Sequence, residues 1–368
     1  MLEVREVTDA AGFAALEPTW RRLFDASAHA TPFQSWEWNA SWWKHMPCGR
    51  LWILVAYDGS NAVALCPLVI AQYHGTPFRQ VRFMGAPLSD IQDILSGSEH
   101  LTAAAAQFLK YIARRASAWD FCDLSDLRER SALTSLSPDE GVGAKMVFHR
   151  TCPVIPLAAT FDGFVKSLGR NMRSNIGRRR RQLEKTFTTE FDLAAADTLP
   201  DALEELFALH TSRWRTRGAA GAFATPAVRA FHHEVAPLFL QRGWLRLHRL
   251  RLNGQTRAAF YCFTHAGRTY YYLSGFDGRV HTFSPGMVLM ARAIEHAIDE
   301  GAYAFELLRG DEPYKYAWRA DDSHTVCLLV GRGGLRSRVA TGGHALERFL
   351  QRQKTRTERW LHGRRSNR

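Results

Sequence analysis

Two turn sequences, Asp58-Gly59-Ser60-Asn61 and Asn253-Gly254, lie 195 residues apart, and apolar-rich runs flank both. A tight Asp-Gly or Asn-Gly turn between such runs is hairpin chemistry, because glycine accepts the positive φ that the turn needs. The first hairpin spans Leu51 to Gln72. The second pairs Trp244 to Arg251, where apolar and basic residues alternate, with Arg257 to Thr264. Each hairpin is followed by a helical pattern and then a strand. Glu99 to Ala118 spaces Leu101, Phe108, Leu109 and Ile112 as a helix does and runs into Trp119 to Leu124. Met287 to Glu300 does the same, ends at Gly301, and leads to Tyr303 to Leu308. Phe121 and Phe305 are 184 residues apart. The recurrence of hairpin, helix and strand predicts a duplicated α/β unit, and 368 residues at 46% hydrophobic composition supply two cores.

The units join near Ser131 to Gly143, a stretch rich in Ser, Pro, Gly and acidic residues. This predicts a first domain over residues 1–143, a second over 144–335 and a basic helical tail over 336–368. The second unit opens with a strand at Val147 to Leu157 and a helix at Phe161 to Lys185. Helices follow at Leu199 to Arg217 and Pro226 to Gln241, with Pro237 expected to kink or divide the latter.

Charge narrows the function classes. The formal charge of +12 is concentrated in two places. Arg332 to Arg368 holds eleven Lys and Arg against Glu347 and Glu358, and Lys166 to Lys185 holds eight against Glu184. The remainder of the chain is net acidic. Basic patches of this kind suit phosphate groups or an anionic surface. No helix-turn-helix, zinc-finger or RNP spelling accompanies them, which argues against a DNA-binding role.

Cys48, Cys66, Cys122, Cys152, Cys262 and Cys327 are scattered without CxxC or metal-ligand spacing and read as reduced, packed thiols; no metal is expected. The start Met1-Leu2-Glu3-Val4 lacks signal-peptide features, and the apolar run Ala62 to Ala71 is too short to span a bilayer. A cytoplasmic protein is expected, with the tail able to rest on the inner face of an anionic membrane.

Three segments of the second unit can carry chemistry. Tyr270 to Asp277 is a strand ending in a Gly-Phe-Asp-Gly turn. Ser284-Pro285-Gly286 opens the next helix, where Ser is a natural N-cap, Pro suits the first turn and Gly permits close approach. Free amides and the helix dipole there suit a phosphate. The third segment, Glu306 to Trp318, crowds Arg309, Asp311, Glu312, Tyr314 and Lys315 behind a strand. Such a set can supply a base, a proton donor and a cation for an oxyanion, although taken alone it reads first as a polar, salt-bridged turn.

In this order and spelling, Phe161 to Val330 resembles the CelD-like acetyltransferases of cellulose biosynthesis within the GNAT superfamily, and more distantly the FemAB-type peptidoglycan aminoacyltransferases. The pieces that carry the likeness are Asn171-Met172-Arg173 to Arg181, Leu209-His210 to Arg213-Trp214, Ser284-Pro285-Gly286 and Arg309-Gly310-Asp311 to Tyr314-Lys315. A weaker likeness covers Val81 to Gly85 and Asp90 to Leu95 in the first unit. The resemblance implies a tandem duplicated GNAT (acyl-CoA N-acyltransferase) fold, each unit a mixed twisted sheet flanked by helices. It implies an acyl-CoA donor such as acetyl-CoA lying between two splayed strands, here Thr269 to Gly275 and Ala304 to Leu308.

Carried onto this chain, the likeness gives Leu273, Ser274, Arg279, Ser284, Pro285 and Gly286 to the donor. It gives Arg173, His210, Trp214 and Arg309 to the acceptor. Asp311 or Glu312 accepts the proton of an attacking amine, Tyr314 protonates the leaving thiolate, and Lys315 stabilises the oxyanion or orients an acidic acceptor. The family's glycine-rich phosphate loop is reduced here to Gly286. The first unit shows Ser125-Asp126-Leu127-Arg128 at the corresponding place, without Tyr-Lys, and is expected to serve as a scaffold or acceptor-binding half. The expected reaction moves an acyl group to an amine or hydroxyl of a sugar or an envelope or exopolysaccharide precursor. The alternatives are a FemAB-like transferase that uses aminoacyl-tRNA and a non-catalytic polysaccharide-assembly subunit.

Overall fold

The structure, a computed structural model, describes residues 2–135, 143–216 and 218–347. It contains both hairpins. Ile53–Asp58 and Asn61–Cys66 meet at Gly59 (φ 57°), and Leu245–Leu252 and Gln255–His265 meet at Asn253 (φ 51°) and Gly254 (φ 73°), the positive pair that a two-residue hairpin turn requires. After each hairpin the chain lays down a strand, crosses over through a helix and returns parallel to that strand. In the first unit these are Arg79–Phe83, Leu101–Arg114 and Phe121–Arg128. In the second they are Arg268–Phe276, Pro285–Asp299 and Ala304–Glu306. The duplication legible in the sequence is therefore a duplication of topology.

Three sheets result. Pro67 breaks the long strand of the first hairpin, since it has no N–H to donate. Asn61–Cys66 stays in a four-stranded sheet with Glu3–Val7 and Ile53–Asp58, while Leu68–Gln72 passes into a six-stranded one. The second unit forms the other six-stranded sheet, from Val154–Pro156 at one edge to Thr189–Leu193 at the other.

The expected boundary at 143/144 does not follow these sheets. Gly143–Thr151 and His324–Gly331 pair with each other, and His324–Gly331 pairs with Phe121–Arg128, so both complete the first unit's sheet. The chain enters the second sheet only at Val154, and the residues after the second unit return to close the first. Two further expectations change locally. The helix expected over 161–185 is two helices, Phe161–Ser167 and Arg170–Thr186, parted at Leu168 and Gly169. Pro226–Gln241 runs unbroken through Pro237. Its buried face of Phe231, Val235 and Phe239 packs in the core, which offsets the roughly 3 kcal/mol that an internal proline costs.

One apolar cluster joins the units. Trp38, fully buried on the helix Trp36–His45, lies 4.8 Å from Phe231, 5.9 Å from Phe239 and 5.5 Å from Tyr272 of the second unit. Truncating such a ring costs about 3–5 kcal/mol, so the shared core fixes the two halves against each other. Arginines add polar links in both directions. Arg128 of the first unit donates to the buried Glu306 at 2.9 Å, and Arg309 of the second reaches Asp90 and the Ser89 carbonyl. All six cysteines are free, and all but Cys48 are buried. Among the described residues no helix is long and apolar enough to cross a membrane.

Candidate active site

The strands Arg268–Phe276 and Ala304–Glu306 pair over three rungs only, Arg268 with Ala304, Thr269 with Phe305 and Tyr270 with Glu306. Beyond them the strands part. Two local features cause this. On the far side of the first strand the register slips, Cys262 facing Tyr271 and Tyr261 facing Leu273, so Tyr272 is the extra residue of a bulge that bends the strand. The second strand turns away through Leu308 (φ 52°) and Gly310 (φ 108°), and the amides of Leu307 and Gly310 donate instead to Pro153 and Thr151. A left-handed leucine costs about 1–2 kcal/mol and needs something to hold it.

Lys315 holds it. The buried Nζ donates to the carbonyls of Leu308 at 3.3 Å, Arg309 at 2.9 Å and Gly310 at 2.9 Å, and lies 3.1 Å from the Glu312 carboxylate. Burial pushes the ammonium below its ordinary pKa, and Glu312 opposes that shift. Lys315, expected at an oxyanion, thus has its three donors engaged by the turn that opens the wedge. Glu312 precedes the short helix Pro313–Tyr316 with an exposed carboxylate, Asp311 is half-buried beside it, and the Tyr314 ring is 45% exposed.

The helix Leu199–Arg215 forms one wall. At Gly275 a Cβ would lie 2.5 Å from the backbone nitrogen of His210, so helix and strand touch main chain to main chain. His210 ties the contact from both ring nitrogens. Nε2 accepts from the Ala222 amide at 3.1 Å, which leaves Nδ1 to donate to the Ser274 carbonyl at 2.8 Å. Burial lowers its pKa and keeps it neutral. It fastens the wall, with the Trp214 ring 6.0 Å away. Arg213, one turn on, stacks 4.0 Å over Phe276 and approaches the Ser274 hydroxyl at 3.4 Å. Tyr271 hydrogen-bonds the same serine, and burial, with the Tyr314 phenol nearby, pushes its own phenol well up.

The open end of the wedge meets the start of helix Pro285–Asp299. Ser284 occupies the cap position with a left-handed backbone (φ 54°, ψ 52°); its carbonyl accepts from Met287 and Val288, but its side chain caps nothing. The first turn contains no carboxylate, and first-turn amides have no intrahelical acceptor, so the helix start keeps its affinity for an anion. A Cβ on Gly286 would be 3.5 Å from Phe276, an ordinary contact. Arg279 pairs with Asp277 at 2.8 Å while remaining 80% exposed, and its hydrogen bonds hold the Asp277 carboxyl down at about 2. From the basic helix Arg170–Thr186, Arg179 donates to the Thr282 carbonyl at 2.7 Å and fixes that helix beside the turn.

Tyr271 thus links Ser274 to the neighbourhood of Tyr314, and Phe276, two residues beyond Ser274, lies against Gly286 of the turn 277–286. Arg309 is turned to the first unit, and Arg173 is exposed on the basic helix, donating to the Lys166 carbonyl at 3.4 Å. Sequence reasoning missed Tyr271, Gly275 and the role of Arg213. The glycine inside a tyrosine-rich strand was the available signal, since such a glycine marks close approach of another backbone.

Residues 170–316 match the family described as the acetyltransferase (GNAT) domain. Among solved structures the chain is similar to FemX, at 11% identity and a TM-score of 0.60, covering 88% of this chain and 96% of that one. It is also similar to the C-terminal domain of a putative lysylphosphatidylglycerol synthetase from Agrobacterium fabrum, at 14% identity and a TM-score of 0.50, with 78% and 85% covered. L-PGS from Bacillus licheniformis aligns at 10% identity and a TM-score of 0.50, over 74% and 82%. No curated protein matches. Residues 170–316 of the second unit thus match a GNAT acetyltransferase domain, in a chain whose fold is mixed sheets flanked by helices.

Proposed function

We propose that the protein is an acyltransferase that moves an acetyl or longer acyl group from acyl-CoA to an amine or hydroxyl of a sugar or cell-envelope precursor, as the CelD-like resemblance implies. The observation that supports this most is the wedge, where two parallel strands separate after three rungs beside a helix start free of carboxylates. The strand edge left open past Tyr270, where Leu273 lies, suits the amides of a pantetheine arm, and Ser284, Pro285 and Gly286 suit its pyrophosphate, with Arg279 exposed beside them.

The donor supplies an activated thioester carbonyl. An acceptor amine attacks that carbon, the new C–N bond forms as the C–S bond breaks, Asp311 or Glu312 takes the amine proton, and Tyr314 returns a proton to the thiolate. Lys315 acts through the turn that it holds, as a positioning residue. Trp214 and Arg173 flank the acceptor's approach.

A second reading, aminoacyl transfer from a charged tRNA, draws on Arg179, which fastens a helix of six arginines to the phosphate turn. That cationic face extends past what a pyrophosphate needs and suits a nucleic-acid backbone. Thermal-shift titration separates the readings. Acetyl-CoA or a longer acyl-CoA raises the melting temperature under the first. A response to tRNA with none to any CoA favours the second, and silence towards both leaves a non-catalytic assembly subunit.

A further inference from the structure

The helix over residues 334–347 lies on the face of the first sheet and is fastened there by one side. Ser337, Ala340 and His344 are buried, and His344 Nε2 sits 2.7 Å from Asp123. Arg336 Nε and, just before the helix, Arg332 Nη2 reach the buried Asp120 at 2.8 and 3.1 Å. The opposite side faces solvent with an apolar row. Leu335 is 79% exposed, Val339 53% and Leu346 58%. At about 100° per residue these three fall within roughly 40° of one another, with Arg336 and Arg338 flanking them. Leaving three large aliphatic side chains in water on a helix whose other side is already packed gives the fold nothing.

The sequence indicates what covers the row. The 21 residues after Glu347 hold eight Lys and Arg against Glu358, together with Phe349, Leu350, Trp360 and Leu361. Aliphatic side chains flanked by arginines, continued by a cationic and aromatic segment, match the boundary of an anionic bilayer. The aliphatic groups enter the acyl region, arginine stems lie along it, and guanidinium heads pair with lipid phosphates. A nucleic acid would use the charges but leave the row in water.

We infer that this face of the carboxy-terminal helix docks the protein on anionic lipid membranes. The test is flotation of the full chain with vesicles of phosphatidylglycerol and phosphatidylcholine, against phosphatidylcholine alone. Wild type floats with the anionic vesicles, and high salt weakens this. The combined variant Leu335→Ser, Val339→Ser, Leu346→Ser lowers partitioning roughly tenfold or more, while Leu193→Ser on the second unit does not change it. Arg338→Glu lowers it independently, and circular dichroism and melting temperature confirm that the variants fold. Absence of wild-type flotation overturns the inference, as does unchanged flotation of the combined variant. RNA binding or self-association that the combined variant abolishes, with flotation intact, overturns it also.

Discussion

Replacing Lys315 by Met keeps the aliphatic stem and deletes the charge, so it isolates what the ammonium does. That group donates to three carbonyls between 2.9 and 3.3 Å and sits 3.1 Å from Glu312. A hydrogen bond from a charged donor is worth about 1.5–3 kcal/mol net, and each buried carbonyl left without a donor costs about 1–3 kcal/mol. Deleting one member of a buried charged network costs about 3–5 kcal/mol; the three bonds share one ammonium whose own burial was unfavourable, so this range is the expected loss. The left-handed Leu308 then relaxes, adding disorder where the wedge opens. Urea denaturation at neutral pH measures the change. A lysine that only stabilised an oxyanion would lower turnover and leave the midpoint unmoved. A Lys315→Met protein within about 0.5 kcal/mol of wild type, the range of an ordinary surface substitution, refutes the turn-holding role.

Gly275→Ala places a Cβ 2.5 Å from the His210 nitrogen; the helix must retreat by most of an ångström, at about 1–3 kcal/mol, and chemical denaturation registers it. Gly286→Ala meets only an ordinary contact at 3.5 Å, so its stability stays within about 0.5 kcal/mol of wild type or rises while acyl-CoA affinity, read by calorimetry, falls. Asp311→Asn lowers kcat without moving the melting temperature, and unchanged turnover refutes its role as base. Burial holds His232 and His248 down at about 3. Because the unfolded chain takes up those protons near pH 6.5, stability is full above that pH and is lost as pH falls towards 3, by about 2 kcal/mol per histidine at pH 5. His232→Phe therefore shrinks the loss between pH 7 and pH 5 by about that amount, and an unchanged slope in denaturation midpoints contradicts the assignment.

The features legible in the sequence were those set by neighbouring residues. Asn253-Gly254 dictates a turn whatever surrounds it, and the hairpin, helix and strand order survived twice because each element carries its own pattern. Features set by distant pairing were not legible. Nothing local tells His324–Gly331 to join Phe121–Arg128 across some two hundred residues, so the boundary drawn at 143/144 cut through the first sheet's complement. Pro237 misled because its rule concerns an isolated helix, whereas Phe231 and Phe239 pack against Trp38 and Val235 is buried in the same core. Within the site, residue types predicted polar chemistry around 306–318, but whether Lys315 faced the cleft or its own turn depended on the φ of Leu308, which composition does not encode.

Hydrogen exchange of the backbone amides, with and without acetyl-CoA, bears on the wedge most directly. Slowed exchange at Tyr271 to Gly275 together with Gly286 to Val288, the rest of the second unit being unchanged, is the predicted result. Ligand binding that leaves both segments exchanging as before, or protects only the first unit, contradicts it.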